Sequence, residues 1–408
     1  MPSPAVPALE IDLDLIRRFD GRGPRYTSYP TAPHFDESVT PEIYAGWLAA
    51  LPAETGISLY LHVPYCRAIC HYCGCHTKAA LRDEPVIDYA EGMIAEIELI
   101  AAAIGRRQKV SHIHWGGGTP SLLPIPSLKA VAEKLKAAFD ILPDVEHAIE
   151  LDPRTVTPEL AETLKAAGVT RASLGVQDFD ATVQEAIGRI QPIETVEAAV
   201  TALRAAGIDK INFDLMYGLP HQSAETIRRT VELTRSFRPS RIALFGYAHV
   251  PWFKTHQRLI DEAALPGASE RIALETTART ALAEAGYEAI GLDHFALHDD
   301  EMAVAARTGE LHRNFQGYTT DDAPALIGIG ASSIGKLAEG YAQNDPATNR
   351  WRKAIDAGRL PIAKGRALDA DDRLRAAIIE RVMCDYAVDL DEVTAAHGTT
   401  TEIGRAHV

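Results

Sequence analysis

The chain has 408 residues, 46% hydrophobic and 24% charged, a globular balance that excludes wholesale disorder and a coiled coil. Lys plus Arg number 41 and Asp plus Glu 56, a formal net charge of −15 that argues against a general nucleic-acid or anionic-membrane binder. No window nears the ~18 uninterrupted apolar residues of a membrane span. The start, MPSPAVPALEIDLDLIRRFD, lacks the basic-then-apolar order of a signal peptide, so a cytoplasmic location is expected.

In chain order, residues 1–55 read as an irregular arm with a basic-aromatic stretch, GRGPRYTSYPTAPHF (21–35), and a short helix near Pro41–Leu51. Apolar, β-branched runs follow at Leu59–Val63, Val110–Trp115, His147–Leu151, Ala172–Val176, Ile211–Tyr217 and Ile242–Tyr247. Stretches with helical spacing separate them, at 85–104, 127–139, 158–167, 193–206 and 223–236. This rhythm predicts an α/β fold, a parallel sheet of six βα units forming a partial barrel. The runs read as nearly continuous in apolar residues, as in strands covered on both faces. A helix over 268–285 leads to a strand at Glu288–Leu292, then to loops over 293–336, and a helical segment runs from Asp369 to His397. The expected organisation is an arm (1–55), a barrel core (56–300), pocket loops and a connecting segment (301–365) and a helical C-terminal domain (366–408).

Four of the five cysteines, Cys66, Cys70, Cys73 and Cys75, fall within ten residues after the first predicted strand, whereas Cys384 stands alone and reads as packing. Clustered thiols in a reducing compartment point to metal or redox chemistry. Zinc, with Cys75, His71 or His76 as fourth ligand, and an iron–sulfur cluster both suit them. Structural zinc usually draws two separated ligand pairs, whereas three thiolates on a cubane leave one iron open, so the spacing leans to the cluster.

Other chemistry-bearing residues are expected at the same end of the barrel. Gly116–Gly118, Glu150, Gln177, Asp214 and Ala248 sit near the C-terminal ends of predicted strands, where barrel enzymes keep their sites. The glycines offer bare backbone for close approach. Glu150 and Asp214 end apolar strands and need partners, and either reads equally as an ion-pair residue or a ligand to hydroxyls or an amine. Arg189 suits a carboxylate.

The spacing of Cys66, Cys70 and Cys73, with Tyr72 before the third, resembles the CxxxCxxC motif of the radical S-adenosylmethionine (SAM) superfamily. YTSYPTA (26–32), CGC (73–75), HWGGGTP (114–120), ELDPR (150–154), SLGVQDF (173–179), DLMYGLP (214–220), YAHVP (247–251), GLDHFA (291–296) and NFQGYTT (314–320) follow in order. Together they resemble the oxygen-independent coproporphyrinogen III oxidases. That resemblance implies a [4Fe-4S] cluster on Cys66, Cys70 and Cys73 and two SAM molecules. The first would touch Tyr60, Gly117, Glu150 and Ile334; the second Tyr72, Cys75, Gly118, Thr119, Gln177, Arg189, Asp214 and Ala248. It also implies coproporphyrinogen III as substrate, a flavodoxin- or ferredoxin-type electron donor and a monomer. Arg22, Arg25, Tyr26 and Tyr29 would suit a flat, carboxylate-bearing tetrapyrrole, and Phe315 and Gln316 are expected in the pocket wall. Related haem-carrying chaperones share the cluster motif but typically have CxYCxF, so Gly74-Cys75 and NFQGYTT side with the oxidases. The closing EIGRAHV (402–408) looks like a translated sequencing adapter, so an incomplete helical domain is expected, with Ile378, Ile379, Val382 and Met383 under-covered.

Overall fold

The computed structural model describes Asp14, Arg18, Phe19 and residues 28–399. Arg22, Arg25 and Tyr26, and the chain from residue 400 onward, lie outside the described residues. The six predicted strands are present: β1 (Ile57–Val63), β2 (Lys109–Gly117), β3 (Asp140–Leu151), β4 (Arg171–Gln177), β5 (Lys210–Tyr217) and β6 (Arg241–Gly246). They pair in parallel in chain order. The helices between them have one apolar face each. In Glu84–Ile104, Val86, Tyr89, Met93, Ile97, Ile100 and Ile104 are buried at helical spacing, and Gly105 ends the helix at φ 74°. Ala224–Phe237 starts on a Ser223–Thr226 capping box and buries Ile227, Val231 and Phe237.

The stretch 293–336 is not loops throughout. It contributes β8 (His294–Leu297), antiparallel between β6 and β7 (Tyr287–Ile290), and β9 (Ala325–Ile329), which pairs in parallel with β1. Antiparallel β10 (Ile334–Leu337), β11 (Gly340–Asn344) and β12 (Ile362–Ala367) extend that edge, giving the order β12-β11-β10-β9-β1-β2-β3-β4-β5-β6-β8-β7. These strands are four to six residues long and interrupted by Gly328, Gly335, Gly340 and Gly365, which hides them from a pattern search.

The six parallel strands alternate more strictly than their sequences suggest. Leu59, Leu61, Ile113, Trp115, Ile149, Leu174, Phe213 and Leu244 are buried in one core beneath the helices. The residues between them, Tyr60, His112, His114, Glu150, Ser173, Asn212 and Asp214, line a single interior cavity of about 1020 Å³ together with Leu326 of β9. One face of six strands meeting one cavity means the sheet is curled, as a partial barrel requires. At its lower end buried Arg171 and Arg241 meet Glu146, Asp300 and Glu301, with Arg241 Nε 2.6 Å from Asp300 and Arg171 3.4 Å from Glu146. Buried charges are tolerable because they are paired in this way.

The C-terminal helices Ala370–Asp385 and Leu390–Ala396 dock through Glu380, 3.0 Å from His312, while Tyr29 donates to Asp372 at 3.2 Å. Cys384 packs against Ile290, Leu311 and Tyr318, as expected of a small hydrophobe. Val382 is exposed, whereas Ile378, Ile379 and Met383 are half-buried.

Beside the barrel mouth, Glu96 is fully buried and accepts from Gly330 N (2.7 Å), Asn344 Nδ2 (2.5 Å) and Trp351 Nε1 (3.0 Å). Tyr89 accepts from Ala331 N and donates to the His62 carbonyl, so two side chains of one helix fix the 330–333 turn that precedes Ile334. Burial pushes the Glu96 carboxyl up to about 7, against the pull of its three donors. With the folded value above the unfolded one, this group's contribution is present below about pH 4.5 and is lost as pH rises through 7. Glu96→Gln should therefore flatten the Tm profile between pH 5 and 8. Glu96→Ala strands three buried donors and should cost about 3 kcal/mol in denaturant titrations.

Candidate functional site

The cysteine loop leaves the barrel just after β1, and short strands at Tyr65–Cys66 and Lys78–Ala79 close it. Its backbone is held from several sides. His71 N donates to the Ile187 carbonyl, and Cys73 N to Cys70 O. Gln257 Nε2, His256 Nε2 and Lys254 Nζ donate to the carbonyls of Tyr72 (2.9 Å), Cys73 (2.7 Å) and Cys75 (2.8 Å). The sulfurs have donors too: Thr119 Oγ1 lies 3.4 Å from Cys66 and Arg189 Nη1 3.6 Å from Cys70. A hydrogen bond from Cys75 pulls the Cys73 thiol down to about 6 against burial, with help from His256 and Lys254. Burial pushes Cys66 up.

Thirteen of the expected residues line one cavity of about 1380 Å³ at the C-terminal mouth of the barrel. They are Cys66, Cys70, Tyr72, Cys73, Cys75, Gly117, Gly118, Thr119, Glu150, Gln177, Arg189, Asp214 and Ala248. Tyr60 lies just below, facing the inner cavity, its hydroxyl 3.0 Å from His62 Nδ1. Ile334 and Phe315 line a neighbouring cavity with Tyr341, and Gln316 faces the barrel interior. Phe315 stands 5.4 Å from the Tyr341 ring and 6.0 Å from Phe35.

Not every residue sits where the strands suggested. Asp214 lies three residues inside the end of β5, and Ala248 two residues beyond β6. The glycine run is required by the protein as well as by any ligand. A Cβ at Gly118 would meet the Tyr65 backbone at 2.5 Å, one at Gly116 would meet Glu150 at 2.8 Å, and Gly117 has φ 115°.

Burial works against the Glu150 charge, but His114 at 3.2 Å and the Gly117 N–H at 3.3 Å hold the carboxyl below its ordinary value. Asp214 accepts from Ser173 Oγ and Asn212 Nδ2, yet burial, reinforced by Glu150, pushes it up to about 6. Arg189 is committed on one side to Asp152 (3.1 Å) and the Gly175 carbonyl (2.7 Å). Its Nε is buried with no hydrogen-bond partner among the described residues. Asp152, which also pairs with Arg154, was not singled out from sequence, although ELDPR contains it.

The donor set fits an iron–sulfur cluster. Cys66, Cys70 and Cys73 line one cavity, and three thiolates on a four-iron cluster leave one iron for another ligand. The cavity beside the cysteines supplies bare glycine backbone, two carboxylates and a guanidinium, which match the hydroxyl, amine and carboxylate groups of SAM.

Fold and site define a radical SAM enzyme, and residues 60–234 match the radical SAM superfamily. The chain is 51% identical over 381 residues to an oxygen-independent coproporphyrinogen III oxidase of Bradyrhizobium diazoefficiens, covering 93% of this chain and 85% of that protein. It is 44% identical to the Paracoccus denitrificans oxidase, covering 96% and 86% of the two. The solved structure of coproporphyrinogen III oxidase (HemN) from Escherichia coli superposes with a TM-score of 0.88 at 35% identity, covering 95% of this chain and 87% of that one. The chain belongs to the oxygen-independent coproporphyrinogen III oxidase family, and its cofactors are a [4Fe-4S] cluster and SAM.

Iron and sulfide content after anaerobic reconstitution checks the ligand set. Cys66→Ser, Cys70→Ser and Cys73→Ser should each lose the cluster, while Cys75→Ser keeps it. Full loss in Cys75→Ser with retention in Cys70→Ser would reverse the assignment.

Proposed function

We propose that the chain converts two propionate side chains of coproporphyrinogen III to vinyl groups without oxygen, giving protoporphyrinogen IX in tetrapyrrole biosynthesis. The observation that carries this reading is the single cavity joining three cysteines to glycine backbone, two carboxylates and one half-committed arginine. When bound, the cluster and SAM together supply a 5′-deoxyadenosyl radical that takes a β-hydrogen from a propionate, and loss of CO2 and one electron leaves the vinyl group.

The chain's residues bind, orient and exclude water. Cys66, Cys70 and Cys73 would hold the cluster, while Cys75 stays out. Tyr60, Gly117, Glu150 and Ile334 would seat the first SAM. Glu150 is kept ionised by His114 and the Gly117 N–H, which suits a ligand amine. Tyr72, Gly118, Thr119, Gln177, Arg189, Asp214, Ala248 and Cys75 would seat a second SAM, with the Arg189 guanidinium facing its carboxylate and Asp214 its hydroxyls. Arg189 also has a structural duty towards Asp152, so Arg189→Lys is the informative variant there, not the alanine. Phe315 and Gln316, on adjoining cavities, would form part of the substrate wall with Tyr341. Arg22, Arg25 and Tyr26 remain candidates of the arm. No helix among the described residues is long and apolar enough to cross a membrane.

The test is anaerobic turnover of coproporphyrinogen III with SAM and dithionite. Wild type should release CO2 and form the divinyl product. Asp214→Asn keeps an acceptor for Asn212 and should melt within a few degrees of wild type while forming vinyl groups at least about 100-fold more slowly. Normal turnover by this variant would remove Asp214 from the site.

A further inference from the structure

The inner barrel cavity meets the cysteine-lined cavity at Glu150, Ser173, Asp214 and Phe245, which line both. Its cations are already taken. Arg171 and Arg241 meet Glu146, Asp300 and Glu301, His112 lies 3.0 Å from Asp321, and His114 lies 3.2 Å from Glu150. What remains for a ligand is mostly acceptors, so a neutral molecule bearing N–H donors suits this space better than an anion.

GLDHFA (291–296) adds a further polar group beside Phe245. His294, the first residue of β8, lines the cavity with Gln316 and Tyr318. Its ring stands edge-on to Phe245 at 5.8 Å and to Tyr318 at 5.4 Å, so three aromatics form one wall. The Asp293 carboxylate lies 2.8 Å from Nδ1 and keeps the proton there, the tautomer in which Nε2 carries a lone pair. Nε2 has no hydrogen-bond partner among the described residues. Gly317, at φ 137°, leaves that edge uncovered, where a Cβ would lie 3.5 Å from Cε1 and 3.8 Å from Nε2.

We propose that His294 is a substrate-contacting residue whose Nε2 accepts a hydrogen bond from a pyrrole N–H of coproporphyrinogen III. The proposal rests on the oxidase reading of the chain. A porphyrinogen is a set of pyrroles joined by saturated bridges, so each ring tilts independently and presents its own N–H. The wall of Phe245, His294 and Tyr318 gives a tilted pyrrole its ring contacts, and Nε2 fixes its orientation. A pyrrole held there lies at the junction with the cysteine-lined cavity, beside Asp214 and Phe245. The contact also selects for oxidation state, because the planar, oxidised porphyrin keeps half as many N–H groups and turns them to its centre.

Two substitutions make opposite demands. His294→Phe keeps a ring against Phe245 and Tyr318 but has no acceptor, whereas His294→Gln loses the ring but keeps an amide oxygen near the Nε2 position. Anaerobic equilibrium dialysis of the reconstituted, SAM-loaded holoenzyme, without reductant, measures Kd for coproporphyrinogen III and for coproporphyrin III. Wild type should favour the porphyrinogen. His294→Phe should bind it about tenfold more weakly and bind coproporphyrin unchanged. His294→Gln should stay within a few-fold of wild type for both. Substrate-free release of 5′-deoxyadenosine under dithionite should match wild type in both variants. The proposal is overturned if His294→Phe binds coproporphyrinogen as wild type does, if His294→Gln binds it as weakly as His294→Phe, or if substrate-free release falls in parallel with binding. If His294→Phe does not fold, His294→Gln decides alone, a near-normal Kd supporting the contact and a loss of about tenfold overturning it. A failure of the functional reading shows separately, as no vinyl formation by dithionite-reduced wild type.

Discussion

The site depends on how the backbone of the cysteine loop is held. A loop bearing three thiols binds a cluster at lower cost when its conformation is fixed before the metal arrives, since ordering it costs about 1–2 kcal/mol per residue. Here the carbonyls of Tyr72, Cys73 and Cys75 are each taken by a side chain of the loop after β6, and His71 is tied to the segment before Arg189. Those outer attachments point the cysteines at the glycines ending β2. Close contact there with Tyr65 and Thr77 leaves no room for a side chain at Gly118.

From that constraint the remaining architecture follows. The barrel mouth must be polar on one face and the strands apolar on the other, and strict alternation along β1–β6 provides both at once. Glu150 and Asp214 sit in the same buried space yet differ: the first is kept ionised by His114, the second is drawn towards neutrality by burial and by the first. Two acids with separated proton affinities share one cavity without two adjacent bare charges. Arg189 links the pieces, touching a cysteine sulfur, an acid and a strand carbonyl, while its buried Nε has no hydrogen-bond partner among the described residues.

Much of this was legible in the sequence because its signals are local. The six core strands carry their outward apolar residues in short runs, and the cysteines, the glycines and ELDPR are contiguous motifs. What escaped is non-local. Lys254, His256 and Gln257 bond to carbonyls, which leave no residue-type signature, and Asp152 shows its role only once Arg189 lies beside it. The strands within 293–336 are short and glycine-broken, so they read as loops. The strands are covered on both faces as expected, β1 being buried along its whole length, but that the inner cover is a polar cavity shows only once the sheet is seen to curl. Arg189 was assigned to a ligand alone, and its pairing with Asp152 adds a second duty.

The central claim is that three cysteines leave one iron open towards the cavity that Glu150 and Arg189 share. Electron paramagnetic resonance of the dithionite-reduced, reconstituted protein, recorded with and without SAM, tests it most directly. A reduced-cluster signal whose g-values move on adding SAM is the predicted result, because a ligand has then joined the open iron. A signal identical in both samples, with SAM shown to be bound, would contradict it.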